Sequence, residues 1–324
     1  MSPRELRDER RIAVQFVQGF HAADPRVASA RGMIEEGPWD DERGRRMHRV
    51  VDGNDRLLQP ILGALRGEIR LGAVVDRIAW ERGRVRVRYR GGDGAAHTVR
   101  ARGAVVSVPI GVLRSAPGAE GHIAFSPAIP GLRATVARIG FGSIVRVVVR
   151  LRERFWERDD VTPELAPRER ETLTFLHADD DDIPVWWTTN PVRAPVLTGW
   201  AGGPVAARLS RRLPRDDRAH VRAARRQIVA TLARQFGMRR SWIASRIEEV
   251  WTHDWGRDPF ARGAYSYPMI GSEDALKAFR QPIAGTIAFA GEAWAPNGDN
   301  ATMHGAIASG IHAAERLSVR SRRR

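Results

Sequence analysis

The sequence predicts an α/β protein, and three patterns support this fold class. Apolar residues alternate with arginines over Val85–Tyr89, which is the period of a strand with one solvated face. Over Val221–Phe236, apolar residues recur at helical spacing. Near the C-terminus the apolar segment Thr286–Ala290 is followed by Gly291, a loop and an amphipathic stretch, Thr302–Leu317. This order of strand, glycine turn, loop and helix points a helix N-terminus beyond the edge of a sheet.

Composition narrows the class of protein further. The chain has 324 residues, 43% hydrophobic and 28% charged, which suits about two folded domains. The absence of cysteine excludes disulfides, thiolate metal sites, a catalytic cysteine and a cofactor attached through sulfur. The sequence has no apolar stretch of about 18 residues that could span a membrane, and its charged N-terminus does not resemble a signal peptide. We therefore expect a cytoplasmic protein with no membrane partner and no metal site.

The net charge of +15 is of the size found in nucleic-acid-binding proteins. Its distribution argues against such a partner, because Lys277 is the only lysine and the arginines are scattered among acidic residues. The clearest basic run is the tail, 318–324, which is typical of a frayed terminus. No nucleic-acid partner is therefore predicted.

The predicted elements begin with a helical segment, Glu5–Met33, broken at Asp24 and Pro25, where Asp24 would cap a second helix. A helix over Leu57–Leu65 precedes a β-rich block with a hairpin turn at Gly91–Gly94. The predicted strands are Ile69–Leu71, Val74–Trp80, Val85–Tyr89, His97–Ala101, Ala104–Val108, Ile144–Leu151, Trp186–Thr189, Val196–Trp200, Ile247–Trp251 and Thr286–Ala290. In the C-terminal helix we expect one buried apolar face, formed by Met303, Ile307, Ile311, Ala314 and Leu317.

The position of Glu292 indicates chemistry. It follows a predicted buried strand, at the sheet edge where ligands bind in open α/β folds. A carboxylate there can accept hydrogen bonds from sugar hydroxyls, and the next helix offers unpaired N–H groups. The alternative is an ordinary loop carboxylate that interacts with the helix dipole, and position alone favours this alternative.

The residues around Glu292 resemble a known motif. Phe289–Glu292, followed by Thr302–Ala306 and then Ser309 and Gly310, is similar to the C-terminal flavin motif of the flavin-containing amine oxidases. That family includes monoamine, polyamine and L-amino-acid oxidases. Further segments resemble family motifs in the same order: Phe16–Asp24, Ile69–Ile78, Val105–Leu113, Phe125–Pro130, Phe155 with Trp156, and Trp255 with Gly263–Ser266. The resemblance covers almost the whole chain.

The resemblance implies a set of site residues. The cofactor-binding residues would be Val75, Gly291, Glu292, Ala293, Thr302 and Met303, and the candidate catalytic residues Arg146, Trp255 and Tyr265. Val75 would hydrogen-bond the adenine of FAD through its backbone, and Glu292 would hold a sugar hydroxyl. Thr302 and Met303 would face the flavin pyrimidine, where the helix N-terminus would stabilise negative charge.

Three positions depart from the family pattern. Ala264 stands where some members carry a cysteine that binds flavin, so FAD would be non-covalent. Tyr265 supplies one aromatic of the substrate cage, but Thr302 stands at the other position, as in polyamine-oxidase-like members. Arg146 replaces a lysine near flavin N5; it either impairs the reaction with oxygen or reflects the chain's general use of arginine. Trp255 and Tyr265 would flank flavin and substrate, and the alternative for both is a core role.

The G-x-G-x-x-G turn with which the family fold begins is not found near this N-terminus. We therefore predict an incomplete FAD-binding Rossmann-like domain, 45–113 and 284–317. A substrate-binding domain with a mixed sheet and helices would comprise 1–44 and 114–283. The predicted reaction is oxidation of a C–N bond of an amine or amino acid by hydride transfer to FAD. Either the chain is a truncated product, or a separate N-terminal FAD-binding polypeptide supplies the missing half. The alternatives are a non-catalytic remnant or subunit, a nucleic-acid binder, and an oxidoreductase that acts on C–C bonds.

Overall fold

The computed structural model describes residues 3–34, 50–178, 182–272 and 275–321. Its α-helices are α1 (Pro3–Gly19), α2 (Ala30–Ile34), α3 (Gln59–Ala64), α4 (Ile110–Leu113), α5 (Leu132–Ala137), α6 (Pro167–Thr172), α7 (Gly203–Arg212), α8 (Asp217–Gln235), α9 (Arg240–Ala244) and α10 (Met303–Ser321). Its strands are β1 (Val74–Glu81), β2 (Arg84–Arg90), β3 (Ala96–Ala101), β4 (Ala104–Val106), β5 (Ala124–Ser126), β6 (Gly140–Phe141), β7 (Ile144–Leu151), β8 (Phe175–His177), β9 (Val185–Thr188), β10 (Val196–Gly202), β11 (Ile247–His253), β12 (Ser266–Tyr267) and β13 (Ile287–Phe289). The protein is thus a mixed α/β protein.

Internal contacts divide the chain into two units. The first comprises Met1–Ala28 and Gly140–Tyr267, and the second Ser29–Ile139 and Pro268–Arg324. Along the chain the units change after residues 28, 139 and 267, whereas the sequence predicted domain boundaries after residues 44, 113 and 283. The assignment of functions to these domains stays a prediction.

The first unit is built on a five-stranded antiparallel sheet in the order β11-β7-β10-β9-β8. Alternate residues of β7 are buried, as the apolar pattern predicts. They pack with α7 and α8 into one core, to which α8 contributes Ala224, Ile228 and Leu232. Asp216 caps α8 by accepting the N–H of Ala219 at 2.7 Å. The predicted strand at 144–151 and the predicted apolar face of the helix over 221–236 are both confirmed.

The second unit contains two small sheets. One has the strand order β3-β2-β1-β5, and β5 runs parallel to β1. The other is a parallel pair of β13 and β4, each three residues long. The Gly83 N–H donates to the Thr286 hydroxyl at 2.7 Å and joins the two sheets. The predicted turn at 91–94 is confirmed, because the Gly94 N–H donates to the Gly91 carbonyl and Gly94 has a positive φ of 76°.

The predicted helix start at Pro25 is wrong. Asp24 accepts the backbone N–H of Arg26 at 3.0 Å and forms an ion pair with its guanidinium at 2.6 Å. These bonds hold a turn over residues 25–27, and the next helix begins only at Ala30. A local side-chain bond thus replaced the helix cap.

The predicted strand at Ile69–Leu71 is also wrong, since this segment has no regular structure. Leu71 is 91% exposed, and Gly72 turns the chain into β1 with a φ of 66°. At the other end of the chain, α10 continues to Ser321, into the predicted frayed tail 318–324. The last three residues of that tail lie outside the described residues.

Helix α10 is present, but it buries a different face from the predicted one. Four of the five predicted core residues are exposed: Met303 by 45%, Ile307 by 41%, Ile311 by 57%, and Ala314. The fifth, Leu317, is partly buried and packs against Ala288, Ala290 and Ala313, as predicted. Small residues, among them Ser309 and Ala313, are buried instead. They allow the helix to approach β13 closely, and hydrophobicity alone does not reveal this.

Across the parts of the chain that the structure describes, no helix combines the length and the hydropathy needed to cross a membrane.

Candidate functional site

The turn after β13 is held by a side chain of α10. The chain turns at Gly291, whose φ of 113° favours glycine. The Ser309 hydroxyl accepts the Gly291 N–H at 2.9 Å and lies 2.9 Å from the Gly291 carbonyl oxygen. Strand, turn and helix are therefore one rigid assembly, as the order of the motif predicted.

Glu292 is bonded within the loop that connects β13 to α10. Its carboxylate accepts the N–H of Ala301 at 2.9 Å. The side-chain amide of Asn300 donates to the carbonyl of Ala293, also at 2.9 Å. Glu292 therefore helps to fold this loop, a structural role close to the loop-carboxylate alternative that its sequence position left open.

The N-terminus of α10 is capped by Thr302. Its hydroxyl accepts the Gly305 N–H at 3.0 Å and donates to the Asp299 carbonyl at 2.7 Å. The N–H groups of Thr302 and Met303 find no acceptor within 275–321 or the other described segments. They are free donors at the positive end of a 19-residue helix.

Val75 lies on a different sheet of the same unit. It pairs with Tyr89 of β2, and the ladder shifts register immediately afterwards, between Val75 and Arg77. On the other side, β5 pairs with β1 only over Arg77–Ala79. The backbone of Val75 at this end of β1 therefore has a partner strand on one side only in the described sheet, which leaves an edge that a ligand can approach.

These donors and acceptors fit the chemistry of FAD. A carboxylate suits a sugar hydroxyl, a strand-edge backbone suits the adenine, and free N–H groups at a helix N-terminus suit an oxygen that gains negative charge. No group of three or more His, Asp or Glu residues that could hold a metal ion occurs among the described residues.

In the first unit, Arg146 lies on the sheet face opposite the buried core. It stands directly across from Trp200 of β10 and from His253 of β11. Side chains at opposite positions of neighbouring antiparallel strands share one face, with Cβ atoms about 4.5–5.5 Å apart. Arg146 is therefore flanked by an indole and an imidazole.

Aromatic contacts connect this trio to both predicted aromatic site residues. The ring of Trp200 stacks on that of Tyr265 with 6.5 Å between centroids and 15° between planes. The ring of His253 meets Trp255 edge-on at 4.5 Å. Arg146, Trp255 and Tyr265 thus belong to one contiguous cluster, although their catalytic roles stay predictions. Sequence reasoning missed Trp200 and His253, which connect them, because their pairing with Arg146 depends on strand register.

The end of α1 holds two of these aromatic side chains. The Trp200 indole N–H donates to the Gly19 carbonyl at 2.7 Å, and the Tyr265 hydroxyl donates to the Phe20 carbonyl at 2.5 Å. The neighbouring His21 packs edge-on against Phe20, and burial lowers its pKa below the ordinary value. His21 is consequently neutral at pH 7 and adds no charge beside the aromatic pair.

His253 is oriented by Asp258, whose carboxylate lies 2.8 Å from the imidazole Nε2. Burial raises the pKa of Asp258, but its hydrogen bonds with the Phe260 N–H and with His253 outweigh burial, and the net pKa is lowered. Asp258 is therefore ionised at neutral pH.

A strand–glycine–helix turn with the donors and acceptors of a dinucleotide site, together with a sheet that displays aromatic residues and an arginine, defines a flavoenzyme-like class. Residues 2–318 match the family described as flavin containing amine oxidoreductase, and the chain belongs to this family.

Individual relatives support the same class. The protein of Oryza sativa subsp. japonica named lysine-specific histone demethylase 1 homolog 1 is 28% identical over 325 residues, which cover 94% of this chain and 34% of the relative. Probable polyamine oxidase 5 of Arabidopsis thaliana is 25% identical over 287 residues, covering 78% and 51%. Wild-type putrescine oxidase, solved with bound putrescine, shares the fold with a TM-score of 0.61 at 17% identity, over 84% of this chain and 54% of that chain. This chain spans about a third to a half of the length of these proteins.

Proposed function

We propose that this protein serves the FAD-dependent oxidation of a C–N bond in an amine or amino acid. The observation that carries the proposal is the turn at Gly291, where Glu292 and the free N–H groups of Thr302 and Met303 lie on consecutive segments. Bound FAD would supply the acceptor for a hydride from the α-carbon of the amine, with dioxygen as the final acceptor of the two electrons. Water then hydrolyses the imine product to a carbonyl compound and ammonia.

The second unit would bind the cofactor. Glu292, which follows β13 at the turn, would accept a hydrogen bond from a sugar hydroxyl of FAD. Thr302 and Met303 would donate to the flavin pyrimidine, where the helix dipole stabilises negative charge. We infer non-covalent binding, because Ala264 stands where some family members carry a cysteine and the chain contains none.

The first unit would bind the substrate. The rings of Tyr265 and Trp255 would orient the amine and exclude water, and Arg146 would place a fixed positive charge beside it. No general base is assigned, since proton removal by these groups is not needed for hydride transfer from a neutral amine.

We further propose that FAD binding requires a dinucleotide-binding segment of the strand–glycine turn–helix type, supplied as a separate polypeptide or as an attached one. Two features of the second unit support this. Parallel sheets are normally covered on both faces, yet the pair of β4 and β13 is small, and Val105 within it is exposed. The apolar side of α10 at Ile307 and Ile311 is exposed beside it.

The alternative to an enzyme that is completed by such a segment is a non-catalytic subunit. A cytoplasmic location and the lack of a nucleic-acid partner stay predictions.

The test is an FAD titration of the purified chain, followed by calorimetry, alone and with a polypeptide that carries the family's G-x-G-x-x-G unit. We expect weak binding alone, tighter binding with the added polypeptide, and peroxide release with a panel of amines, amino acids and polyamines only in the combined sample. Absence of FAD binding in both samples would refute the cofactor assignment. FAD binding without turnover of any panel member would favour the non-catalytic subunit or an oxidoreductase that acts on C–C bonds.

A further inference from the structure

Arg146 has no ion-pair partner among the residues that the structure describes, although it stands among charged groups. Glu248 and Glu249 of β11 are both bonded to Arg150, at 3.2 and 3.0 Å. Asp258 is bonded to His253. The carboxylates of β11 thus pair with Arg150, and Arg146 keeps its five donors available for an external acceptor.

On the side of β10, aromatic and apolar residues surround Arg146. Trp200 stands opposite it and stacks on Tyr265, and the half-buried Val148 is the next residue of β7 on the same face. The Trp200 ring is fixed by its bond to the Gly19 carbonyl. A guanidinium beside an apolar wall binds a carboxylate in bidentate geometry more strongly than a solvated one does.

The charge of this face disfavours a polycation. Arg146 and Arg150 lie on it together, and the nearby carboxylates are already bonded, Glu248 and Glu249 to Arg150 and Asp258 to His253. A diamine in this site would place a second ammonium group near the unpaired guanidinium, and like charges at short range are destabilising.

Resting on the proposed function, which places Arg146 at the substrate, we infer that the substrate carries a carboxylate bound by Arg146. Its side chain is apolar and lies against Trp200 and Tyr265. The class is therefore an α-amino acid with an aromatic or large apolar side chain, rather than a polyamine. Removal of a hydride from the α-carbon and hydrolysis of the resulting imine would release a 2-oxo acid and ammonia.

The test measures binding to the purified chain by ligand-observed NMR and needs no cofactor. The probes are L-phenylalanine, 3-phenylpropionate, phenethylamine and putrescine, so that the carboxylate and the amine are varied separately. We expect both carboxylates to bind about tenfold or more tightly than the two amines, as for one charge-assisted bidentate pair. Arg146→Gln should abolish this preference, and Arg146→Lys should keep part of it.

The matched control is Arg150→Gln, which removes an arginine from the same face whose charge is already compensated and should leave the preference intact. Equal binding of phenethylamine and 3-phenylpropionate, no binding of either carboxylate, or an unchanged preference in Arg146→Gln would overturn the inference. These outcomes with normal FAD binding refute the substrate class alone. A carboxylate preference without any FAD binding refutes the proposed function alone. Thermal melts of both glutamine variants establish that they are folded.

Discussion

At the scale of single residues, Glu292 combines two roles that are usually carried by different side chains. Its carboxylate holds the loop before α10 through Ala301, and the same carboxylate is proposed to accept a hydrogen bond from a sugar hydroxyl of FAD. Loss of the whole side chain therefore affects both the loop and the ligand. A substitution that preserves only the loop contact separates them.

We predict that Glu292→Gln weakens FAD binding without much loss of stability. The glutamine carbonyl oxygen can still accept a hydrogen bond from the Ala301 N–H, but the charge is gone, and the NH2 group that replaces the second carboxylate oxygen cannot accept a hydrogen bond from a hydroxyl. A hydrogen bond to a charged group is worth about 1.5–3 kcal/mol, or about 10- to 150-fold in Kd. Calorimetric titration with FAD, in the presence of the complementing polypeptide, and a thermal melt measure the two effects.

Glu292→Ala is the companion variant and should lose both FAD affinity and thermal stability. Unchanged FAD affinity in both variants would mean that Glu292 is only a loop residue, which is the alternative that its sequence position left open.

At the scale of elements, the close approach of α10 to its preceding loop depends on glycine. A β-carbon at Gly305 would overlap the Asp299 carbonyl oxygen, and this backbone atom cannot move without breaking the Thr302 cap. Gly310, one and a half turns further along the same helix, has open space where a β-carbon would stand. Steric fit thus requires glycine at position 305 but not at position 310.

We predict opposite effects for Gly305→Ala and Gly310→Ala on the free energy of unfolding, measured by urea denaturation. Overpacking at Gly305 should destabilise the protein by about 1–3 kcal/mol. At Gly310, alanine should stabilise it by about 0.5–1 kcal/mol, because glycine in a helix interior loses more backbone entropy on folding. Each variant is the control for the other, and a Gly305→Ala protein as stable as the parent would contradict the observed helix–loop packing.

At the scale of the whole molecule, the second unit exposes apolar surface that a folded chain normally covers. Ile307 and Ile311 are exposed one turn apart on α10, where the apolar pattern predicts core. Clustered exposed apolar side chains mark interaction surfaces or promote self-association. The proposed dinucleotide-binding segment would cover them, and in a sample of this chain alone they would be available to other copies of the chain.

The double substitution Ile307→Gln and Ile311→Gln is therefore expected to reduce self-association of the purified chain, measured by light scattering after size-exclusion chromatography. Glutamine is as good a helix former as isoleucine, so α10 should persist. The same variant should lose the gain in FAD affinity on addition of the complementing polypeptide.

Ile270→Gln is the matched control, since Ile270 is 73% exposed in the same unit but lies outside α10. An equal reduction of self-association by this single change, or normal complementation by the double variant, would show that α10 is not the docking surface.

The amino-acid sequence by itself determined the α/β class, the strand at 144–151, the apolar face of the helix at 221–236 and the order of motifs that identifies the family. These depend on local periodicity or on short contiguous segments. It did not predict the turn at Asp24, where a side-chain bond to Arg26 replaced a helix cap. It also did not predict that Ile69–Leu71, although apolar in pattern, has no regular structure.

The tertiary structure decided which residues meet. Trp200 and His253 flank Arg146 because of the register of β10 and β11 on β7. The register between strands that are distant in sequence could not be predicted from the sequences of the individual strands. In the same way, α10 turns small residues rather than isoleucines toward β13, because the closest approach of two backbones is set by steric fit. Periodicity selects a helix or a strand from local energetics, whereas register and helix rotation are selected by contacts formed only after the chain has folded.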